Sequence, residues 1–179
     1  YTLSHSRRHP ARTLIILGSG GHTTEMLRIV AGMQSDRYSP RIYVRASTDV
    51  ISDAKVRDLE GEASDYQLLH IRRSREVHQP YLTSVWTSIV AILESIPVVW
   101  TTRPDLILCN GPGTCVPLCL VAFLYKLLFF TQIRVVFIES FCRVKTLSLS
   151  GKILYYFADF VVVRWRTLKN SLYCRTVCL

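Results

Sequence analysis

The sequence lacks both a bilayer-length apolar run and a long basic run. Its most apolar stretch, CVPLCLVAFLYKLLFF at residues 115–130, has 16 residues and contains Lys126, whereas a membrane-spanning helix needs about 20 apolar residues. Lys and Arg exceed Asp and Glu by 22 to 13, but they are scattered. We therefore expect no nucleic-acid partner, and the net charge of +9 favours phosphates or an acidic membrane surface instead.

Motifs for disulfide frameworks and metal sites are also missing. The six cysteines form no Cys-x-x-Cys pair, and a disulfide framework is typical of smaller secreted chains. His22, His70 and His78 are not at the spacing of metal ligands. We therefore expect free and mostly buried thiols, no metal and no cofactor.

Two nucleotide-binding signatures are absent or incomplete. Gly18 and Gly20 fit the first two positions of G-x-G-x-x-G, but the third position is Thr23. The second predicted strand ends in Arg45-Ala46, without the acidic residue that would bind a ribose. No G-x-x-x-x-G-K occurs, which excludes a P-loop. A nucleotide-binding oxidoreductase is therefore a disfavoured alternative.

What the sequence does contain is a regular alternation of short apolar runs and helical patterns. The predicted strands are residues 13–17, 41–46, 66–71, 105–109, 133–138 and 160–163. The predicted helices are residues 23–33, 51–60, 85–100, 115–130 and 149–157. This alternation predicts an α/β fold, a Rossmann-like parallel sheet of about six strands with helices on both faces. We expect residues 1–12 to be a basic flexible leader and residues 13–179 to be one domain.

A glycine-rich turn, GSGGHTTEM, joins the first strand to the first helix. Glycines let a ligand approach the backbone, and the start of a helix offers free N–H groups and a positive dipole end. Thr23 or Thr24 is predicted to cap the helix, and Glu25 to interact with its dipole. A tight turn without a ligand is the alternative. The predicted ligand contacts are Gly18, Ser19, Gly20, Gly21 and Thr23.

A second turn of the same kind, NGPGT, follows the fourth strand. Its predicted ligand contacts are Asn110, Gly111, Gly113 and Thr114. Because ligands bind beyond the carboxyl ends of parallel strands, both turns are expected on one rim, where they suit an extended anionic ligand. Arg75, in the charged loop RRSREV, is expected to contact phosphate or lipid headgroups. A merely solvated loop is the alternative.

Two titratable residues on this rim are candidates for catalysis. His22 lies within the first glycine turn, where an imidazole is able to accept a hydroxyl proton. Glu139 follows the fifth strand, where it is placed to act as a base or to bind sugar hydroxyls. The alternatives are a locally bonded histidine at a helix start and an ion pair of Glu139 with Arg143.

Four motifs in this order, GSGGHTTEML, RRSREV, LCNGPGTCVP and ESFCRVKTLSLSGKILY, resemble one family over about residues 12–165. The family that these motifs resemble is the membrane-anchoring subunit of the two-subunit UDP-N-acetylglucosamine transferase of the dolichol pathway. That resemblance implies the acceptor-binding half of a split GT-B glycosyltransferase at the cytosolic face of the endoplasmic reticulum membrane. The implied partners are a catalytic subunit that carries the UDP-N-acetylglucosamine site and a lipid-linked sugar diphosphate acceptor.

The resemblance also implies what the two rim turns and the ends of the chain do. The glycine turns would bind the acceptor diphosphate, with His22 or Glu139 as base or positioning group. The family normally has an amino-terminal transmembrane anchor, which we expect to be missing here, and the tail at residues 166–179 is expected to lack the family's final strand-like stretch. Residues 85–100 and 115–130 are expected to cover the sheet, or alternatively to lie on a membrane. A scaffold with purely structural glycine turns is the second hypothesis.

Overall fold

The computed structural model describes residues 9–61, 65–72, 81–111, 113–170 and 176–178. The strands are β1 (Thr13–Ile16), β2 (Arg41–Ala46), β3 (Tyr66–Ile71), β4 (Leu106–Asn110), β5 (Arg134–Ile138), β6 (Phe160–Val163) and β7 (Thr176–Cys178). The helices are α1 (Gly21–Ala31), α2 (Ile51–Glu60), α3 (Tyr81–Thr102), α4 (Cys115–Leu127), α5 (Leu149–Leu154) and α6 (Arg166–Asn170). The strands form one sheet in the order β3-β2-β1-β4-β5-β6-β7, and every pairing is parallel.

The central strands are covered by helices on both faces, which explains their purely apolar sequences. Successive side chains of a strand point to opposite faces, and in β1 Leu14 and Ile16 join one core whereas Ile15 joins the other. Helices α1 and α2 cover the face of Ile15 with Met26, Val30 and Val56. Helices α3, α4 and α5 cover the opposite face. The predicted parallel sheet with two helical layers is therefore confirmed.

The predicted strands agree with the structure to within one residue at each end, but the helix ends differ more. Helix α1 begins at Gly21, two residues before the predicted start, and no side chain caps it. The predicted capping by Thr23 or Thr24 is therefore wrong. Helix α3 extends beyond residues 85–100 at both ends and continues through Pro97, and α4 ends at Leu127 rather than Phe130.

The tail contains a strand that the sequence analysis did not predict. Thr176–Cys178 pairs in parallel with β6 through Val161, Val162 and Val163. Its three residues are too few for a recognisable apolar period, and the neighbouring strand supplies the hydrogen-bond partners that define it. The expectation that the tail lacks a strand-like stretch is therefore wrong.

Three of the cysteines agree with the expectation of buried free thiols. Cys109, Cys115 and Cys119 are buried and unbridged, whereas Cys142 is unbridged and exposed. In the described part of the chain, no helix combines the length and the apolarity needed to cross a bilayer.

Candidate functional site

The site lies where the strand order changes direction. From β1 the chain proceeds outward to β2 and β3, then returns to place β4 on the other side of β1. In such sheets a crevice opens at the carboxyl edge between the two strands at the switch, because their following turns diverge. Here the two glycine turns, Leu17–Gly20 and Gly111–Thr114, follow these two strands. The predicted meeting of both turns on one rim is confirmed by the topology.

The first glycine turn exposes backbone at the start of α1. Ser19, Gly20 and Gly21 are exposed, whereas Gly18 is buried. Gly20 has φ +63°, a left-handed conformation that favours glycine. The first N–H groups of α1 have no partners within the helix, so this turn presents donors to solvent.

Thr23 supports the first turn from inside. Its side chain is fully buried, its hydroxyl donates to the carbonyl of Gly18, and it lies 2.8 Å from the hydroxyl of Ser52. A ligand contact through this hydroxyl would require both interactions to change. Thr23 therefore contributes to the site by fixing the turn.

The second glycine turn meets the first through His22. Gly111 has φ +69°, and a β-carbon there would lie 2.6 Å from Cε1 and 2.8 Å from Nδ1 of His22. The imidazole thus lies directly against the backbone of the second turn. Further along this turn, Gly113 is exposed and Thr114 is buried just before α4 begins at Cys115.

A chain of hydrogen bonds runs inward from His22. Its Nδ1 lies 3.0 Å from Oδ1 of Asn110, and the Asn110 amide nitrogen donates to Oε2 of Glu25 at 3.0 Å. The hydroxyl of Ser140, just beyond β5, donates to Oε1 of Glu25 at 3.1 Å. The His22 side chain is 37% exposed and that of Glu25 is 17% exposed, whereas Asn110 is 1% exposed. The chain therefore leads from the surface into the protein and links three turns.

Glu139 is buried and bonded to its own loop. Its Oε1 accepts from the backbone N–H of Ser140 at 3.0 Å. Its Oε2 accepts from the backbone N–H of Ser148 at 2.8 Å and from the Ser148 hydroxyl at 3.1 Å. Glu139 is 4% exposed. Its hydrogen-bond partners are Ser140 and Ser148, and not Arg143 as in the alternative prediction. The carboxylate closes the loop between β5 and α5.

Two basic side chains, Lys55 and Arg45, lie in the elements that follow the first turn. Lys55 of α2 donates to the hydroxyl of Thr24 at 3.1 Å, which places an ammonium beside the start of α1. The buried Arg45 donates to both carboxylate oxygens of Asp53, and this bonding lowers the pKa of Asp53 below its ordinary value. Arg75 lies outside the described residues, and the nearby Arg72 pairs with Glu94 at 3.1 Å.

Sequence reasoning missed Glu25, Ser140 and Lys55 as site residues. Glu25 follows His22 by three residues, a spacing that places both on the same side of a helix, and this signal was available in the sequence. Ser140 and Lys55 reach the site from other elements, so only the fold brings them there. In the described part of the chain, no three His, Cys, Asp or Glu side chains are grouped as metal ligands.

This arrangement places groups that favour an anion beside an imidazole that is able to accept a proton. Two helix starts and Lys55 favour a negatively charged group, and the exposed side of the His22 ring is available to a hydroxyl. The carboxylates of Glu25 and Glu139 are both occupied by hydrogen bonds from the protein. They therefore organise the rim from behind.

The chain is similar in sequence to proteins of one family. Residues 13–177 match the family described as oligosaccharide biosynthesis protein Alg14 like. The UDP-N-acetylglucosamine transferase subunit ALG14 of Rattus norvegicus is 49% identical over 167 residues, which cover 88% of this chain and 77% of the rat protein. The Homo sapiens subunit is 43% identical over 173 residues, with 92% and 80% covered. The Schizosaccharomyces pombe subunit is 42% identical over 163 residues, with 88% and 77% covered.

Solved structures with a similar fold are larger and distant in sequence. MurG of Acinetobacter baumannii has a TM-score of 0.70 at 14% identity over 95% of this chain and 45% of its own. A UDP-N-acetylglucosamine 2-epimerase has a TM-score of 0.67 at 14% identity over 94% and 48%. At such identity the likeness concerns the fold alone, and this chain spans about half the length of either protein. The predicted Rossmann-like half of a GT-B fold is confirmed.

Proposed function

Because the chain belongs to the Alg14 family of oligosaccharide biosynthesis proteins, we propose that it is the acceptor-binding subunit of a UDP-N-acetylglucosamine transferase. The transferase adds the second N-acetylglucosamine to N-acetylglucosaminyl-diphospho-dolichol in the synthesis of N-glycan precursors. The donor site lies on a separate catalytic subunit, and this chain recruits that subunit to the cytosolic face of the endoplasmic reticulum membrane. Alone, this chain is inactive.

One observation carries the acceptor-binding role: His22 of the first glycine turn lies against Gly111 of the second. A diphosphate bound at the exposed N–H groups of these turns therefore has an imidazole beside it. Lys55 adds positive charge near the first turn. A lipid-linked sugar diphosphate has both groups that such a site needs, an extended anion and a sugar hydroxyl.

In this mechanism His22 is the general base. The ring takes the proton of the acceptor hydroxyl, so that the oxygen attacks the anomeric carbon of the donor sugar with inversion. A new C–O bond forms at that carbon. The bond between that carbon and UDP breaks, and its electron pair leaves with UDP. The N–H groups of Ser19, Gly20 and Gly21, together with those of Gly111, Gly113 and Thr114, bind the acceptor diphosphate.

Glu139 is assigned a positioning role in this mechanism. Both of its oxygens accept hydrogen bonds from the loop between β5 and α5, and this loop begins at Ser140, which bonds Glu25. Arg75 remains a proposed contact for phosphate or lipid headgroups in the loop after β3.

An apolar surface on α3 and α4 supports contact with the membrane. Ala91, Ser95 and Val99 of α3 are buried, whereas the opposite side of that helix is exposed. We define the α3 stripe as its exposed apolar residues, Trp86, Ile89, Leu93, Ile96 and Trp100. The end of α4 and the turn after it add Leu124, Leu127, Leu128, Phe129 and Phe130.

The charge around this surface suits lipid headgroups. Arg103 places its guanidinium 5.6 Å from the ring centre of Trp100, at the end of the α3 stripe, and the whole chain carries a net charge of +9. A wide apolar face next to cations is typical of proteins that lie on a membrane. Arg72, which follows the carboxyl end of β3, bonds Glu94 of α3, so the α3 stripe passes close to the rim that would receive the lipid-linked acceptor.

The experiment is transfer of labelled N-acetylglucosamine from its UDP donor to the dolichol-linked acceptor by the purified two-chain complex. We expect His22→Gln to lower kcat/KM by about 100-fold or more, which is the usual range for loss of a general base, with the complex still assembled. Unchanged kcat/KM in an intact complex would contradict the catalytic role of His22.

The scaffold hypothesis predicts a different result for the glycine turns. We expect Gly20→Asp and Gly113→Asp, each in the intact complex, to raise KM for the acceptor because a carboxylate repels the diphosphate. If membrane recruitment and assembly persist and KM does not change for either variant, then the turns are structural and the chain acts only as a scaffold.

A further inference from the structure

We infer that Glu25 and Asn110 are positioning residues that fix the tautomer of His22, so that its Nε2 carries the lone pair. The inference rests on the proposed function for its catalytic meaning, but the tautomer is a property of this chain alone. It follows from the donors and acceptors of three side chains, taken in the order Glu25, Asn110 and His22.

The carboxylate of Glu25 only accepts hydrogen bonds when ionised. Ser140 donates to one of its oxygens and Asn110 donates to the other. If the amide of Asn110 were rotated by half a turn, its carbonyl oxygen would face the carboxylate, and two acceptors would lie 3.0 Å apart. The carboxylate therefore fixes which end of the buried amide faces inward.

The outward end of this amide decides the state of His22. With its nitrogen directed at Glu25, Asn110 presents its oxygen to Nδ1 of His22 at 3.0 Å. An oxygen there accepts a hydrogen bond, so Nδ1 carries the hydrogen. In a neutral imidazole the other nitrogen, Nε2, then has no hydrogen and is ready to accept one.

The surroundings of the ring hold it in this orientation. Gly111 packs against Cε1, Nδ1 and Nε2 of the ring, and Asn110, next to it in sequence, is 1% exposed. Nε2 has no hydrogen-bond partner among the residues that the structure describes. The second glycine turn thus supplies both the surface on which the ring lies and the amide that fixes its tautomer.

The same group of hydrogen-bonded side chains also stabilises the ring during the proton transfer. When the acceptor O–H bond breaks and the N–H bond forms at Nε2, the imidazole becomes positively charged. The nearer oxygen of Glu25 lies 3.9 Å from Nδ1, so its negative charge stabilises the charged ring. In other enzymes too, the base that activates a nucleophile is oriented by a third group. In the serine-protease triad, loss of the correct tautomer lowers kcat by about 10⁴-fold.

The first test measures the tautomer directly in the full chain. Histidine labelled with ¹⁵N gives long-range ¹⁵N–¹H correlations that distinguish Nδ1–H from Nε2–H, and the His22→Gln spectrum assigns the signals. Spectra are recorded up to a pH at which the imidazole is neutral. We expect wild-type His22 to be in the Nδ1–H form. The Nε2–H form in the wild type would overturn the inference.

Three variants separate the hydrogen bond from general packing. Glu25→Leu removes the acceptor and frees the amide to rotate, so we expect the Nε2–H form to become populated. Glu25→Gln is able either to accept from Asn110 or to donate to it, so we expect a mixture of the Nδ1–H and Nε2–H forms. Ser140→Ala removes the other bond to Glu25 and is expected to keep Nδ1–H. An unchanged tautomer in Glu25→Leu would overturn the inference, and if that variant fails to fold, an unchanged tautomer in Glu25→Gln would overturn it instead.

The second test links the tautomer to the reaction in the two-chain complex. We expect Glu25→Leu to lower kcat by about 100-fold, within the range for a disabled general base, and Glu25→Gln to recover at least about 10-fold of this loss. Equal losses in both variants would contradict the role of the hydrogen bond. Full activity of His22→Gln with the expected tautomer would instead contradict the proposed function and leave the tautomer assignment intact.

Discussion

The imidazole of His22 contacts the backbone of the neighbouring turn at Gly111, and this position accepts only glycine for two separate reasons. The left-handed φ of +69° is unfavourable for any residue with a β-carbon. A β-carbon there would also lie 2.6 Å from the ring. Gly61 at the end of α2 has the same φ of +69° but has nothing within 4 Å of its β-carbon position. The two positions therefore separate backbone strain from contact with His22.

We predict that Gly111→Ala displaces the His22 ring and lowers kcat/KM of the two-chain complex by about 100-fold, as expected when a general base is misplaced. The backbone strain is expected to lower the free energy of unfolding by about 1–2 kcal/mol. Steady-state transfer assays measure the first quantity and urea unfolding of the full chain measures the second.

Gly61→Ala is the matched control for this prediction. It introduces backbone strain at the same positive φ, so we also expect a loss of stability, but it leaves His22 in place and kcat/KM unchanged. If both variants lose activity equally, then the loss at Gly111 comes from strain, and the proposed contact with the ring has no catalytic importance.

At the residue scale, several residues proposed from the sequence lie together in the structure, but the hydrogen bonds between them were not predictable. His22, Asn110 and Gly111 were predicted from glycine turns at helix starts, a local signal. The bond from His22 to Asn110 joins residues 88 positions apart, and its existence depends on the relative orientation of two turns. The expectation that Glu25 interacts with the helix dipole is wrong, because α1 begins at Gly21 and its first turn contains no acidic residue; the local sequence does not indicate that Glu25 bonds a buried amide.

At the scale of elements, helix α3 has an apolar residue on almost every side, which is unusual for a helix that covers a sheet. Its buried side packs against β-strands and α4, whereas Trp86 is 69% exposed and Leu93 is 59% exposed on the opposite side. The sequence predicted the helix correctly, but periodicity alone did not separate its buried and exposed sides because both are apolar.

We predict that Leu93→Asp weakens binding of the full chain to vesicles that contain anionic phospholipid by about 10-fold or more. Burying one leucine side chain in an apolar environment contributes about 1.5–3 kcal/mol, and the substitution replaces it with a charge that anionic lipid repels. Because Leu93 is largely exposed, the free energy of unfolding is expected to change little. Vesicle sedimentation measures the bound fraction.

Ile51→Asp is the control for the α3 stripe. Ile51 is 73% exposed at the start of α2, on the opposite face of the sheet, and the substitution adds the same charge. We expect vesicle binding to remain close to that of the wild type. Equal weakening by both variants would show that net charge, and not the α3 stripe, governs binding.

At the scale of the whole molecule, the parallel sheet was predictable because each buried strand is a short apolar run between polar turns. The six predicted strands are present, and the unpredicted strand, Thr176–Cys178, depends on pairing with β6. The order of strands also depends on tertiary pairing, since apolar runs do not specify their neighbours. This order matters most for function, because it places β1 beside β4 and so brings the glycine turns together.

A second buried network connects β2, α2 and the first glycine turn. Arg45 is 6% exposed and donates to Asp53, with its Nη2 2.6 Å from Oδ2. On the same helix, Ser52 donates to Asp49 and lies beside Thr23, which bonds Gly18. The ion pair therefore anchors the helix on which the first glycine turn rests.

The Arg45–Asp53 pair also predicts how stability depends on pH. Hydrogen bonding from Arg45 lowers the pKa of Asp53 below its ordinary value of 3.8. A carboxyl with a lowered pKa in the folded state stabilises the fold above its ordinary pKa, and this contribution is lost as pH falls through the lowered value. His70, whose Nε2 lies 3.9 Å from Asp53, adds favourable charge when protonated.

We therefore predict that Asp53→Asn lowers the free energy of unfolding by about 1.5–3 kcal/mol at pH 7, the range for a hydrogen bond to a charged group. At pH values below the lowered pKa the wild-type carboxyl is itself protonated, so the difference between the two proteins is expected to shrink there. Urea unfolding at pH 7 and in a series of acidic buffers measures the free energy of unfolding of both proteins.

Asp58→Asn is the control, because it changes an exposed carboxyl on the same helix. We expect it to change the free energy of unfolding little, both at pH 7 and in acid. A gap between wild type and Asp53→Asn that stays constant with pH would mean that the ionised carboxylate of Asp53 contributes no stability, and that Arg45 is held by its bonds to the carbonyls of Ala46 and Ser47.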